Sequence, residues 1–596
     1  MDTMRSMPLR WILGFAVFAV ASTLALCFVA TAVADDSGGP QAPLVRSAPV
    51  APESETARLE TTEDLSESLA NDVLALSLAV RDRDLARTGE FFADTVLAPP
   101  FPTVPGEAKP QVKWIALHDW SAGPGSDPAP RPTPRAEFLS ALSAFLDHFS
   151  EIEDVRFKVK GATFDADARS VPGAAEPTAV PGAAGAANVA FFVWGRDAKG
   201  RREWARATTE TRVRKPANGV WQFTAFKVTK LDSQVAEVDL FAEVAVPAGL
   251  EANLPPYGQP PNTGFTWHGA AAGDWNRDGW LDLFVTGPER NWLYLNEGNG
   301  RFRDASAETG ILAAASGVGP LGLDYDNDGD TDLFLATVGE QVLLENRLVP
   351  DGKLSFLDVS QEAGVAVSAI GFSAAAGDVN GDGRPDVYVA SYNRYGQVTP
   401  DVWFKATNGT PNLLFVSQPG GGYREEARRW GVDDRRWSYA AQFVDVDEDG
   451  KLDLYVANDF GEKALYMRRG DRFVDEAKER GVVDTGNGMG VSFGDFNNDG
   501  RLDLHVTNMS STAGNRILGR LFPGATPDTN VLKKLASGNA LYENTGGGHF
   551  REVTAEVGPF GGGWAWGGGF IDFDGDGHED FFTPNGFISG KSMKDT

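Results

Sequence analysis

Leu65, Leu69, Val73, Leu76 and Val80 recur at steps of three and four, the spacing of one helix face. Phe138, Leu142, Phe145 and Phe149 repeat the pattern and predict a second helix, with Thr133 placed to cap it and Pro134 suited to its first turn. The period then changes to two. Residues 155–159 and 206–213 alternate, 188–194 form an apolar run, and 220–226 end the series around Trp221. Between them lies a low-complexity loop, 171–187. Two helices followed by an antiparallel sheet predict a small α+β domain over residues 59–235.

From residue 236 to 590 the pattern repeats. Six copies of Asp-x-Asp/Asn-x-Asp-Gly-x-x-Asp begin at Asp274, Asp324, Asp378, Asp445, Asp495 and Asp572, each followed by an apolar run such as Leu283-Phe284-Val285. A second element, aromatic then acidic or polar then glycine, occurs at 241–250, 302–311, 356–365, 423–432, 473–482 and 550–558. A third sits between them, as in Leu541-Tyr542-Glu543-Asn544. The intervals between first aspartates are 50, 54, 67, 50 and 77 residues. A period near 50 with four short strands describes one blade of a propeller, whose sheets must stack to bury their faces. In the first unit the strands are expected at 270–275, 281–286, 292–296 and 301–305. The predicted fold is mainly β: a β-propeller of six to seven four-stranded blades, six of them counted, preceded by the α+β domain.

The loops also carry chemistry. Positions 1, 3, 5 and 9 offer side-chain oxygens, and position 7 a main-chain carbonyl. In chain order the expected ligands are Asp274, Asn276, Asp278, Trp280 and Asp282; Asp324, Asp326, Asp328, Asp330 and Asp332; Asp378, Asn380, Asp382, Arg384 and Asp386. They continue with Asp445, Asp447, Asp449, Lys451 and Asp453; Asp495, Asn497, Asp499, Arg501 and Asp503; Asp572, Asp574, Asp576, His578 and Asp580. Glycine at position 6 permits the sharp turn. Hard oxygen donors in a flexible loop suit Ca²⁺ better than Mg²⁺, so up to six calcium ions are expected. These are not EF-hands, because position 12 of the first copy is Val285, inside a strand pattern.

Net charge is −29, which argues against nucleic acid as a partner and suits cation binding. Arg5 and Arg10 precede an apolar run that ends in Ala32-Val33-Ala34, the pattern of a signal peptide over residues 1–34. Residues 35–58 read as a disordered linker. The single cysteine, Cys27, lies in the leader, so a disulfide framework is excluded. The expected location is secreted, periplasmic or cell-surface, without membrane insertion after cleavage.

The six loops, with the Leu-Tyr-x-Asn and Phe-x-Asp elements and Gly563-Trp564-Ala565-Trp566-Gly567, resemble FG-GAP/VCBS repeats of the integrin α-chain propeller, and more closely cartilage-acidic-protein-like and UnbV-type proteins. The first domain resembles the SnoaL-like cone fold. The first resemblance implies calcium-dependent extracellular adhesion, recognition or assembly with a protein or glycan, and no reaction. The competing class is a secreted propeller enzyme acting on polysaccharide. His118 and Asp119 are adjacent, which usually points side chains apart; a P-loop pattern is absent from the sequence.

Two connections on the side opposite the Asp-rich loops are enlarged. One, 391–411, carries Tyr392, Tyr395, Trp403 and Phe404; the other, 508–539, carries Arg516, Arg520, Lys533 and Lys534. They either bind a partner or pack on the first domain. Trp564 and Trp566 read as packing. Asn408 and Asn508 match N-glycosylation sequons.

Overall fold

A computed structural model describes residues 53–171, 177–217, 219–250, 269–287, 290–311, 317–394, 397–521, 527–558 and 563–585. The leader with Cys27, most of the linker, and Tyr395 lie outside them. The chain divides into two compact units: residues up to Phe241 with Thr512–Arg520, and Ala242–Ser511 with Leu521–Thr596.

In the first unit, helix α1 (Glu53–Arg81) starts within the expected linker. Its buried stripe of Leu65, Leu69, Val73, Leu76 and Val80 packs along strand β6 (Phe149–Phe164). A short helix α2 (Leu85–Gly89) precedes β1 (Phe92–Ala98), β2 (Val104–Pro105), β3 (Lys109–Val112), β4 (Ile115–Ser121) and β5 (Arg131–Pro134). After α3 (Arg135–Leu146) come β6, β7 (Ala184–Asp197), β8 (Arg202–Arg214) and β9 (Gln222–Ala236). The sheet order is β2-β4-β9-β8-β7-β6, with β1 parallel to β9.

The sheet curls around an aromatic core. Phe138 lies 4.9 Å from Phe92, and Phe145 lies 4.9 Å from Trp120, ring to ring. Trp221 is tied to α1 twice: its indole N–H donates to Ser68 at 3.1 Å and its main-chain N–H to Asp72 at 2.7 Å.

Three local expectations change. Helix α3 ends at Leu146, and Phe149 opens β6. Thr133 lies within β5 and bonds Arg131 O, so Pro134 takes the cap position without a side-chain acceptor. The low-complexity segment becomes strand from Ala184, because alanines 184, 186 and 187 pair with β8 as any small residue can.

The second unit is a propeller. The first blade is β10 (Ala270–Gly273), β11 (Asp282–Val285), β12 (Trp292–Asn296) and β13 (Phe302–Asp304). The second is β14 (Gly317–Leu323), β15 (Asp332–Glu340), β16 (Val342–Asn346) and β17 (Phe356–Asp358). The third is β18 (Ser368–Gly377), β19 (Asp386–Ser391), β20 (Leu413–Ser417) and β21 (Tyr423–Glu425). The fourth is β22 (Trp437–Val444), β23 (Asp453–Phe460), β24 (Ala464–Arg469) and β25 (Arg472–Asp475). The fifth is β26 (Gly488–Gly494), β27 (Asp503–Asn508), β28 (Ala540–Gly546) and β29 (His549–Glu552). Of the sixth, β30 (Gly569–Ile571) and β31 (Asp580–Phe582) are described. Every pairing within a blade is antiparallel, and each Asp-rich loop joins the first strand to the second.

Blades are clasped at their outer strands. The aromatic that opens an outer strand donates its N–H to the turn of the preceding element: Phe302 to Ala248 O, Phe356 to Thr309 O, Tyr423 to Ala363 O and Phe550 to Arg480 O, at 2.7–2.9 Å. The next residue in each turn is a glycine with φ near +80°: Gly249, Gly310, Gly364 and Gly481. A Cβ on Gly249 or Gly481 would lie 2.5 Å from the neighbouring carbonyl oxygen, so this position demands glycine.

A second clasp uses the third-strand asparagine. Buried Asn346 donates from Nδ2 to Trp275 O of the preceding blade and to Thr331 O of its own loop, at 2.9 and 3.1 Å. Asn544 repeats this with Val446 O and Leu502 O. Replacing Asn346 by Ala strips two buried carbonyls of a donor. The expected cost is about 1–3 kcal/mol in urea unfolding, and an unchanged midpoint would refute the clasp.

Candidate metal centres

All six loops share one hydrogen-bond scheme. The position 1 carboxylate accepts the N–H of position 5 and of the position 6 glycine, as Asp324 does from Asp328 and Gly329 at 3.1 and 3.0 Å. The position 5 carboxylate accepts the N–H of position 7 in each loop, at 2.8–3.0 Å. The turn needs left-handed backbone at two places: glycine at position 6, and position 4, held by Arg277, Asn327, Gly381, Glu448, Asn498 and Gly575 with φ of 57–76°. The position 4 requirement was not read from the sequence, because four residue types (Arg, Asn, Gly and Glu) satisfy it across the six loops.

Position 9 is the most structural member. Asp332 accepts Tyr325 N–H at 2.9 Å and Asn346 N–H at 2.7 Å, tying the loop to the third strand. Asp282, Asp386, Asp453 and Asp503 accept the equivalent third-strand N–H at 2.7–2.8 Å.

In three loops, carboxylate oxygens converge within 4.8 Å of one another: Asp324, Asp326 and Asp332; Asp445, Asp447 and Asp453; Asp572, Asp574 and Asp580. These are positions 1, 3 and 9. Position 5 is not in these groups. In the first, third and fifth loops position 3 is Asn276, Asn380 or Asn497, whose side-chain oxygen accepts the position 5 N–H.

Electrostatics separates the loops. Burial pushes the Asp332 carboxyl up to about 8, with Asp326 and Asp330 adding to it and two backbone N–H groups opposing it. Burial raises Asp453 to about 7, and Asp282, Asp386 and Asp503 each to about 6. In loop 445–453, Arg469 and Arg480 approach Asp447 at 3.7 and 3.8 Å and supply part of the missing positive charge. Loop 324–332 carries the fuller acidic set, and Asp330 adds a buried side chain raised to about 6 by burial, although only its carbonyl was expected to matter. A donor set of oxygen alone, three of them converging carboxylates short of positive charge, fits a hard divalent cation.

The opposite end is differently built. Tyr392 is 2% exposed and does not form an aromatic surface: it packs between Phe372 and Trp437, 4.7 and 4.8 Å away, and its hydroxyl donates to Asp459. Trp403 packs edge-on against Phe460 at 5.0 Å. Asn408 holds this cluster, accepting the Trp437 indole N–H at 2.9 Å and donating to Thr399 O, while Asn508 is 1% exposed. Both sequon asparagines therefore serve packing. Trp566 lies 5.9 Å from Tyr439 and 6.3 Å from Trp564, in keeping with a packing role. Arg516 and Arg520 both pair with Glu63 in the first unit, and Arg520 also donates to Ser66 and Ala162 O.

Lys463 and Asp484 form a fully buried ion pair at 3.4 Å, and Lys463 also donates to Gly486 O at 2.6 Å. Lys463→Met would strand the Asp484 charge. The expected loss is about 3–5 kcal/mol, with Lys463→Met/Asp484→Asn recovering much of it; a neutral single variant in chemical denaturation would contradict the pairing.

In the first unit, His118 bonds Gly106 O and Asp119 pairs with Lys109, so the adjacent pair does point apart. A different pair was not legible in the sequence. His148 Nε2 lies 2.6 Å from Glu203 of β8; Ser233 donates to Glu203, and Trp120 donates to Ser233 at 2.9 Å. His148 and Glu203 are 55 positions apart, and no motif links them.

Among the described residues no helix is long and apolar enough to cross a membrane. An FG-GAP-like repeat profile matches residues 274–335, 324–389, 400–506 and 527–583. Cartilage acidic protein 1 of Mus musculus is 25% identical over 177 residues, 28% of this chain and 25% of that protein. The matched segment thus spans a quarter of the relative's length. A ketosteroid isomerase-like protein from Erwinia carotovora covers 28% of this chain and 95% of its own, at 14% identity and a TM-score of 0.17. A lectin from Agrocybe aegerita, described as recognising non-reducing terminal N-acetylglucosamine, covers 65% and 83%, at 13% identity and a TM-score of 0.29.

Proposed function

The second unit of this chain is built of FG-GAP-like repeats, and from that premise we propose a calcium-stabilised, non-catalytic extracellular module for adhesion, recognition or assembly. The observation that carries the reading is loop 324–332, where Asp324, Asp326 and Asp332 converge and Asp332 is pushed up to about 8 by burial. Equivalent ligands in the other loops are those at positions 1, 3, 5, 7 and 9, up to six ions in all. A bound Ca²⁺ supplies the positive charge that lets these carboxylates stay ionised together. The protein's own part is to hold the loop ends. Position 9 fixes the loop to the third strand, and the glycine at position 6 closes the turn.

The leader implies secretion to the periplasm, cell surface or medium, and the partner class is an extracellular protein or glycan. The test is a capture assay on arrays of glycans and matrix proteins with calcium-loaded and metal-stripped chain. Binding lost on stripping and restored by Ca²⁺ supports the reading. Calcium-dependent depolymerisation of a polysaccharide would overturn its non-catalytic part.

A further inference from the structure

A cavity of about 410 Å³ opens beside β28, where the enlarged connection after β27 returns to the fifth blade. That volume lies within the range of small-molecule sites, ~300–1,000 Å³. Its lining includes Asp484, Asn508, Lys534, Glu552 and Thr554, all within the second unit. It lies away from the Asp-rich loops, since β27 leaves its loop at Asp503 and reaches the cavity at Asn508.

The floor is fixed. Asn508, 1% exposed, donates from Nδ2 to Asp484 Oδ2 at 2.8 Å, and its main-chain N–H donates to Asn539 Oδ1 at 2.9 Å. Asp484 also accepts Gly486 N–H at 2.8 Å and pairs with Lys463 behind it. The remaining Asn508 oxygen, Oδ1, is buried and has no hydrogen-bond donor among the described residues. An amide acceptor left unpaired is costly, and it asks for an N–H or O–H donor.

The wall is largely apolar, with a few polar groups that are locally neutral. Lys534 Nζ lies 2.6 Å from Glu552, and the Thr554 hydroxyl bonds to Leu541 and Glu552. Because Lys463 already compensates Asp484 and Lys534 compensates Glu552, the cavity offers no unbalanced charge to an ion. It offers the Asn508 acceptor and, on an otherwise apolar lining, the Lys534, Glu552 and Thr554 polar groups, a mixture that the hydroxyls and C–H faces of a sugar can match.

We propose that this cavity is a binding site for a neutral polyhydroxylated ligand of monosaccharide size. The site deepens the extracellular-binding reading by naming a ligand class, and it requires no metal. The blocking position is Ala555, exposed and on the lining.

The experiment is saturation-transfer NMR on the full chain with glucose, galactose, mannose and N-acetylglucosamine, and with glycine and acetate as charged controls. Each is run in calcium and in chelator. The expected result is transfer to at least one neutral sugar, reduced about tenfold in Ala555→Trp and weakened in Lys534→Met, with neither variant altering the thermal midpoint. Transfer to none of the sugars, transfer only to the charged controls, or equal transfer in a folded Ala555→Trp overturns the proposal. Sugar binding that survives chelation upholds the site even if calcium-dependent capture fails. A calcium response without sugar binding removes the site and leaves the calcium reading standing.

Discussion

Millimolar Ca²⁺ raises the melting temperature of the metal-stripped chain by about 10 °C, and Mg²⁺ by a small fraction of that, if the loops are occupied as proposed. A ligand at about 100 times its dissociation constant adds roughly 2.7 kcal/mol per independent site. Three sites, one for each convergent carboxylate group, add about 8 kcal/mol. A propeller of this size shifts by about 1–2 °C per kcal/mol when it melts as one unit, following the trend of smaller shifts in larger domains. The selectivity comes from the donors: the loop is flexible and supplies many oxygens, whereas Mg²⁺ demands a tight octahedron and keeps its water. Scanning calorimetry of stripped, Ca²⁺-loaded and Mg²⁺-loaded protein measures this directly. Asp332→Asn should remove the share belonging to loop 324–332 while leaving the rest. Equal midpoints after verified stripping would reduce the loops to turns held by their own hydrogen bonds.

The second large effect is an unusual pH dependence of the metal-free protein. Asp332 has a folded value of about 8 and an unfolded value near 3.8. Between those values the folded state keeps a proton that the unfolded state has lost. The folded chain therefore binds more protons, and stability falls as pH rises through the window. Asp453, at about 7, acts in the same sense. His505 acts oppositely: burial lowers it to about 4 from 6.5, so it favours folding increasingly from pH 4 to 6.5 and adds no slope above that. The clean interval is thus pH 6.5 to 8. There the metal-free protein should lose about 2–3 kcal/mol, read from urea midpoints. In saturating Ca²⁺ the slope should vanish or reverse, because binding requires the ionised carboxylates. A rising metal-free profile over that interval would mean that the position 9 aspartates are ionised at no cost.

Much of the second unit was readable because its signals are local. The nine-residue loop, the apolar run after it and the aromatic that opens each outer strand sit close in sequence, and the first blade's strands fall within two residues of their predicted ends. Both enlarged connections also lie where the repeat intervals placed them, between second and third strands. What failed was partner choice over distance. Tyr392 looks like a surface aromatic in a polar loop, yet Trp437 and Phe372 from other strands enclose it. For Arg516 and Arg520 the sequence left a partner and the first domain both open, because their carboxylate, Glu63, is more than 450 residues away. The first domain suffered most. Strands β2, β3 and β5 have two to four residues and contain proline, and the seven-residue β1 and β4 alternate only in part, so their period does not register, while the stripe of α1, five apolar residues over about four turns, was unmistakable.

The outer-strand clasp has a consequence for where the chain can be cut. By repeats of the Asp-rich loop the propeller begins at Asp274, and by strands at Ala270. By the clasp it begins earlier, because Ala248 O receives the N–H of Phe302 and Gly249 fits under that residue's carbonyl. Residues 242–250 stand on the first blade as the turn of each blade stands on the next. An excised propeller that starts after residue 250 leaves the first blade with a raw edge. One that starts at Ala242 keeps the edge sealed, and shuttling the 242–250 segment to the far end of a permuted chain would show whether the clasp needs to be covalently attached to the blade it closes.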